Sequence, residues 1–272
     1  MNSFYQQKFT HLKVEQEGNL LWLSFNRPES KNAITMEMID SIEKVLLHAD
    51  RDQEIRVIIL TGEGDSFSAG GDIKNMLAKQ EMFEGEANEL RLNYRFGIQR
   101  IPEAIHRLST PLIAMVNGHA IGAGCDIVAM CDLAIASEKA KFAETFNKIG
   151  LVPGDGGTYF LVRKIGFAKA SEMYLTGDIY DSKQANKIGL VNHVTQAKKL
   201  KSETRTLALK VAANAPMATA MTKRALIHGY HNDLATQLDL LAAYQAITQR
   251  SHDHELALKN IKGKKPTEFT NA

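Results

Sequence analysis

Hydrophobic positions near the start of the chain follow a strand pattern and then switch to a helical one. Residues 12–15 and 20–25 are apolar runs separated by Gly18-Asn19, a dipeptide suited to a tight hairpin turn. Asn26-Arg27-Pro28 ends the second run, and Thr35 stands as an N-cap before Ile39, Ile42, Val45 and Leu46, which recur at helical spacing. Residues 57–60 are continuously apolar and stop at Thr61-Gly62, as expected of a strand buried on both faces. A glycine-bearing loop is predicted over 62–72, and a mostly helical, charged stretch over 84–108. Thr110-Pro111 closes that stretch. Residues 112–116 then read as a second buried strand and 133–136 as another, with a short helix between them. Strands alternating with helices predict an α/β core with crossover connections. From about Lys198 onward the pattern is helical only: 208–214, 217–228, a face formed by Leu234, Leu238, Leu241 and Tyr244, and a last segment from Asp253. The predicted organisation is an α/β core over 1–197 and a helical region over 198–272, without internal repeats.

Composition narrows the function classes. With 33 Lys+Arg against 31 Asp+Glu the formal charge is +2, and 44% of the residues are hydrophobic. This is ordinary for a globular protein and supplies no broad basic face for nucleic acid or a membrane surface. No apolar stretch approaches the roughly 20 residues of a membrane span, and the residues after Met1 lack the charged and apolar regions of a signal peptide. Cys125 and Cys131 allow no disulfide framework and form no CxxC pair, so they read as small core residues in a reducing compartment. The expectation is a soluble, cytoplasmic protein without a metal.

Two segments share one design, a buried strand running through a glycine-rich turn into a helix. One runs from Val57 through Ser68-Ala69-Gly70-Gly71-Asp72-Ile73, and the other from Leu112 through Gly118 and Ala120-Ile121-Gly122-Ala123-Gly124-Cys125-Asp126. Neither is a GxGxxG or a P-loop motif. Each alone reads better as a plain tight strand-to-helix turn, since short glycine patterns recur by chance. Facing each other, two such turns would aim two backbone N–H groups at one oxygen and stabilise negative charge developing there.

The pair, with Asn26-Arg27-Pro28, Lys31-Asn32-Ala33, Cys131-Asp132, the run Gly150-Leu151-Val152-Pro153-Gly154-Asp155-Gly156-Gly157, Leu175-Thr176-Gly177 and Gly189-Leu190-Val191, resembles the crotonase superfamily of enoyl-CoA hydratases and isomerases. The ordered matches span the whole core. The resemblance implies a spiral of ββα units with a C-terminal helical trimerisation region, and a homotrimer or homohexamer. It implies an acyl-CoA thioester substrate, with coenzyme A as part of that substrate and no separate cofactor. By the same resemblance Gly71 and Ala123 are the oxyanion donors. Lys31, Ala69, Gly70, Asp72, Ile73, Lys74, Gly122 and Phe146 lie along the substrate and coenzyme A path.

The acids depart from the family pattern. Relatives hold one water between two glutamates; here the first position is Asp126 and the second is Phe146, which moves no proton. Asp126 follows the second oxyanion donor by three residues and is the expected catalyst. Its alternative is a first-turn helix acid that satisfies the dipole. Asp155 lies one residue away from where some isomerases and aryl-CoA dehalogenases of the family place an aspartate. Its own setting among glycines favours an N-cap or Asx-turn over a catalytic role. Glu144 reads as a plain exposed side chain, and Asp72 as an N-cap for the first loop rather than a proton carrier.

Other features carry less. His252-x-His254 with Asp253 reads as a solvated face rather than a metal fragment, and His119 as a loop histidine. Lys259, Lys262, Lys264 and Lys265 suit coenzyme A phosphates or a solvated tail. The leading activity is hydration of a 2-enoyl-CoA to a 3-hydroxyacyl-CoA. Phe146 keeps two alternatives open: a one-carboxylate double-bond isomerase, and a member that binds coenzyme A or RNA without the chemistry.

Overall fold

A hairpin opens the core: β1 (Leu12–Glu17) pairs antiparallel with β2 (Leu20–Phe25), turning at Gly18 with φ of 57°. In the computed structural model, which describes residues 3–263 and 267–271, β2 then pairs in parallel with β3 (Val57–Gly62). The sheet continues through β5 (Leu112–Val116), β7 (Leu133–Ser137) and β10 (His193–Thr195), all parallel to their neighbours. β2, β3 and β5 are buried along their whole length because both faces are covered. A second sheet, hidden in the sequence, is built from four very short strands: β4 (Ser66–Ser68), β6 (His119–Ile121), β8 (Lys141–Ala143) and β9 (Tyr180–Asp181), in that order.

α1 (Met36–Ala49) covers one face of the large sheet, with Thr35 accepting a hydrogen bond from Met38 N as its cap. The stretch predicted as one helical segment over 84–108 is interrupted. α2 (Ile73–Ala78) precedes it, and α3 (Ala87–Phe96) and α4 (Arg100–Arg107) divide at Gly97. α5 (Ala123–Met130) runs through the centre. α6 (Gly157–Ile165) and α7 (Phe167–Thr176) pack against it and each other, and α8 (Ser182–Lys187) leads to β10. After β10 only helices follow among the described residues: α9 (Leu200–Ala212), α10 (Pro216–His228), α11 (Leu234–Gln249) and α12 (His252–Gly263).

The core has two parts. The larger lies between α1, α4 to α8 and one sheet face; the smaller joins Leu20, Trp22, Val57, Ile59 and Ile113 on the other face to Leu200, Ala208 and Ala212 of α9. α9 is thus a layer of the core, whereas α11 has no buried residue at all. Asp253 accepts hydrogen bonds from Thr270 and Asn271 and clasps the C-terminal tail. Lys264, Lys265 and the Lys262 side chain lie outside the described residues. No helix among the described residues is long and apolar enough to cross a membrane.

Candidate active site

The small sheet brings the two glycine loops together. β4 pairs in parallel with β6, so the loop after each strand emerges on the same side. β6 pairs with β8, and Gly122 N donates to Ala143 O at 2.8 Å. Gly70 has φ of 80°, and a Cβ there would stand 2.6 Å from Ile121 O and 3.1 Å from Ala123 N. Only glycine permits this approach. Gly124 serves the reverse contact, since its Cβ would meet Ser68 O at 2.3 Å.

The segment before α1 braces the first loop. The buried Asn32 amide donates to Glu63 O and Ser66 O, and Ser68 Oγ donates to Asn32 O. Ala69 N donates to Lys31 O and Ile34 N to Gly70 O. Asp72 caps α2 by accepting from Lys74 N and Asn75 N, and it pairs with Arg27 at 3.3 Å. Its geometry is that of a cap. In the second loop Gly122, at φ of 52°, absorbs the backbone strain, and Ala123 enters the helix as its first residue with ordinary φ. Position 123 therefore tolerates a side chain. The first N–H of a helix has no intrahelical acceptor, and Gly71 N–H likewise finds none among the described backbone partners. The two free donors flank one small cavity of about 70 Å³.

Ala69, Gly71, Ile73, Gly122, Ala123, Phe146 and Asp155 all line this cavity, joined by residues on which the sequence was silent: Met76, Met82, Phe83, Tyr94 and Ile98. The Phe146 ring stands beside Gly122 and gives the cavity an apolar wall. Lys31 and Lys74 are exposed and do not line it. Tyr94 packs against Gly154, and burial, followed by the charge of Asp155, raises its phenol pKa.

The carboxyls correct two expectations. Asp126 does not reach the cavity. Its side chain is fully buried behind α5, where Tyr174 Oη donates to Asp126 Oδ1 at 2.6 Å, and a Cβ on Gly157 would lie 1.7 Å from the same oxygen. An aspartate reaches one methylene less far than a glutamate, and Tyr174 holds one of its oxygens. Asp126 therefore stands behind Asp155 rather than on the cavity wall. Glu144, expected on the surface, is fully buried beside Cys125 and Asp126. The signal was the strand alternation: Phe142 and Glu144 share the inward face of β8 and its extension, with Lys141 outside.

Asp155 is the one carboxyl among the described residues that lines the cavity, and it is 4% exposed. Burial raises its pKa, opposed by a hydrogen bond from Asp126. Asp126 and Glu144 are pushed well above the carboxylate range, foremost by burial, with Glu144 and Asp155 adding to the rise at Asp126.

A larger groove of about 450 Å³ between α6 and α10 lies away from both loops. Its charged members are already engaged, with Lys223 on Asp132 at 2.8 Å and Lys164 on the carbonyls that end α5. The smaller cavity is the one that brings Gly71, Ala123 and the buried Asp155 together.

A family model described as enoyl-CoA hydratase/isomerase matches residues 15–272. The chain belongs to that family. It is 34% identical to the short-chain-enoyl-CoA hydratase of Clostridium acetobutylicum over 83% of this chain and 84% of that one. It is 32% identical to the 1,2-epoxyphenylacetyl-CoA isomerase of Escherichia coli over 93% and 96% respectively. The crystal structure of an enoyl-CoA hydratase from Bacillus anthracis superimposes with a TM-score of 0.90 at 28% identity, covering 97% of this chain and 100% of that one. The α/β architecture with its helical C-terminal region is the crotonase fold of these hydratases.

Proposed function

We propose that the protein is an enoyl-CoA hydratase/isomerase-type enzyme that holds the thioester oxygen of an acyl-CoA between Gly71 N–H and Ala123 N–H while Asp155 moves the proton. The observation that carries this reading is the placement of two free N–H donors and one buried carboxyl around a single cavity. An N–H aimed at an oxyanion contributes about 3 kcal/mol to the transition state.

Hydration leads, in line with the relatives named for it. Asp155 takes a proton from water as the water oxygen bonds to C3 of a 2-enoyl-CoA, and the C2=C3 electron pair moves onto the thioester oxygen. The enolate then collapses as Asp155 returns that proton to C2, giving a 3-hydroxyacyl-CoA. Phe146 favours a second reading. With no second acid on the cavity wall, one carboxyl suffices to remove a proton from C2 of a 3-enoyl-CoA and deliver it to C4. Assaying crotonyl-CoA and a 3-enoyl-CoA with the wild-type protein separates the two. Turnover of neither, with coenzyme A still bound, removes the enzyme reading.

Coenzyme A enters as part of the substrate. Lys31, Ala69 and Lys74 suit its nucleotide end, and Gly70, Asp72, Ile73 and Gly122 shape the path. The assembly is a homotrimer or homohexamer in the cytoplasm, for which the support is α11: Leu234 is 74% and Leu238 56% exposed in the single chain. Light scattering that gives a monomer at micromolar concentration overturns the assembly.

A further inference from the structure

Behind Asp155 lies a set of groups with no contact to the cavity and no structural need to be acidic. Asp126 sits within hydrogen-bonding reach of Asp155 on one side and Glu144 on the other. Among the described residues Asp126 Oδ2, Asp155 Oδ1 and both oxygens of Glu144 are buried with no donor facing them. Carboxylates only accept, so bonds between them form only when one carries a proton. Tyr174 Oη already donates to Asp126 Oδ1, which leaves Oδ2 as the oxygen for that proton. Among the described residues no cation is placed to neutralise the group instead: Lys164, on the neighbouring α6, spends its ammonium on the carbonyls of Val128, Ala129 and Cys131 at the far end of α5. Unpaired carboxylates buried this deeply are too costly to remain all ionised.

We propose that Asp126 is a positioning residue for Asp155: its carboxylic O–H, held from behind by Tyr174, donates to Asp155 and fixes which Asp155 oxygen faces the substrate. Glu144, fully buried beside Cys125, closes the back of the space and keeps water out. The proton on Asp126 never reaches substrate. A hydrogen bond donated to the ionised form of Asp155 keeps that carboxyl usable as a base in a dry wall. The groups facing this pair are Cys125 on α5, Glu144 after β8, Tyr174 on α7 and, beyond Asp155, Tyr94 on α3.

This inference rests on the enolate reading above for its kinetics, and its test has an arm that does not. Asp126→Asn keeps a donor for Asp155 and an acceptor for Tyr174. Its kcat is expected within about tenfold of wild type with the acid limb of the pH profile in place, whereas Asp126→Ala loses roughly a hundredfold in kcat at similar KM and its acid limb moves up by about one pH unit. Infrared spectra at neutral pH are expected to show a protonated-carboxyl C=O band in the wild type that weakens in Asp126→Asn. An Asp126→Asn variant as inactive as Asp155→Asn overturns the proposal, because Asp126 then moves the proton itself. Equal losses in the Asn and Ala variants with an unmoved acid limb overturn it too, as does an unchanged infrared band. If the wild type turns over no enoyl-CoA, the functional reading fails while the infrared comparison still decides the state of Asp126.

Discussion

The two glycine loops begin from one design and end in opposite surroundings. The second loop runs into α5, all eight of whose residues are buried, and behind it lie Asp126, Glu144 and Tyr174. The first runs into α2, six residues of which none is buried, with Ile73 and Leu77 exposed. One donor is therefore held by packing on every side, the other by a few polar ties: Asn32 to Glu63 and Ser66, and Asp72 to Arg27 and the α2 amides. Packing gives rigidity that no single side chain controls, while hydrogen-bonded braces concentrate the control in one or two residues. The second loop is thus fixed by the core around it, while the first keeps an exposed edge.

Substitutions sharpen that contrast. The largest effect belongs to the acid held by the rigid half. Asp155→Asn is expected to cut kcat by about 10² to 10⁴ with the fold intact, and steady-state kinetics that change less than tenfold would take Asp155 out of the mechanism. Next is the seam between the loops. Gly70→Ala meets both a positive φ and the Ile121 carbonyl, so the loops must part, with a loss of about 1–3 kcal/mol in stability and roughly 10² in kcat. Gly122→Ala shares the positive φ but meets only the Phe146 ring at 3.5 Å, and it should cost clearly less in melting temperature. Equal shifts in the two variants would mean that the approach of the loops is not tight.

The brace of the exposed loop comes third. Asp72→Ala removes a cap and an ion pair, expected to cost about 1 kcal/mol, with a rise in KM rather than a fall in kcat and faster proteolysis at α2. A pure kcat loss would place Asp72 in the chemistry. The smallest effect is in the buried wall. The folded-state pKa of Glu144 is raised by burial, so folding retains a proton that the unfolded chain releases. Below about pH 4 both states hold it and nothing is lost; as the pH rises above that range, stability falls. Glu144→Gln should therefore gain melting temperature over wild type at pH 8 and gain little at pH 4. A gain that is constant with pH would show that Glu144 is ionised in the fold.

Much of this protein was legible in the order of its residues. The period-two and period-3.6 patterns gave the hairpin, the Thr35-capped helix, the buried parallel strands and the all-helical end, because each depends on local spacing and on which face is dry. The glycines at 70 and 124 marked where two backbones come close. What spacing does not carry is depth. β4, β6, β8 and β9 span only two or three residues each, too few for a pattern, and their pairing brings the two loops together. Tyr94 and Phe83 gave no sign of a role, since they reach the cavity only through the path of the chain after α2. The same holds for the acids: Asp126, Glu144 and Asp155 were all visible as carboxyls, but which of them meets the cavity depends on one methylene, one tyrosine from α7 and one glycine on α6. Those contacts join residues up to 48 positions apart, where burial, and so proton affinity, is set by tertiary packing rather than by neighbours in the chain.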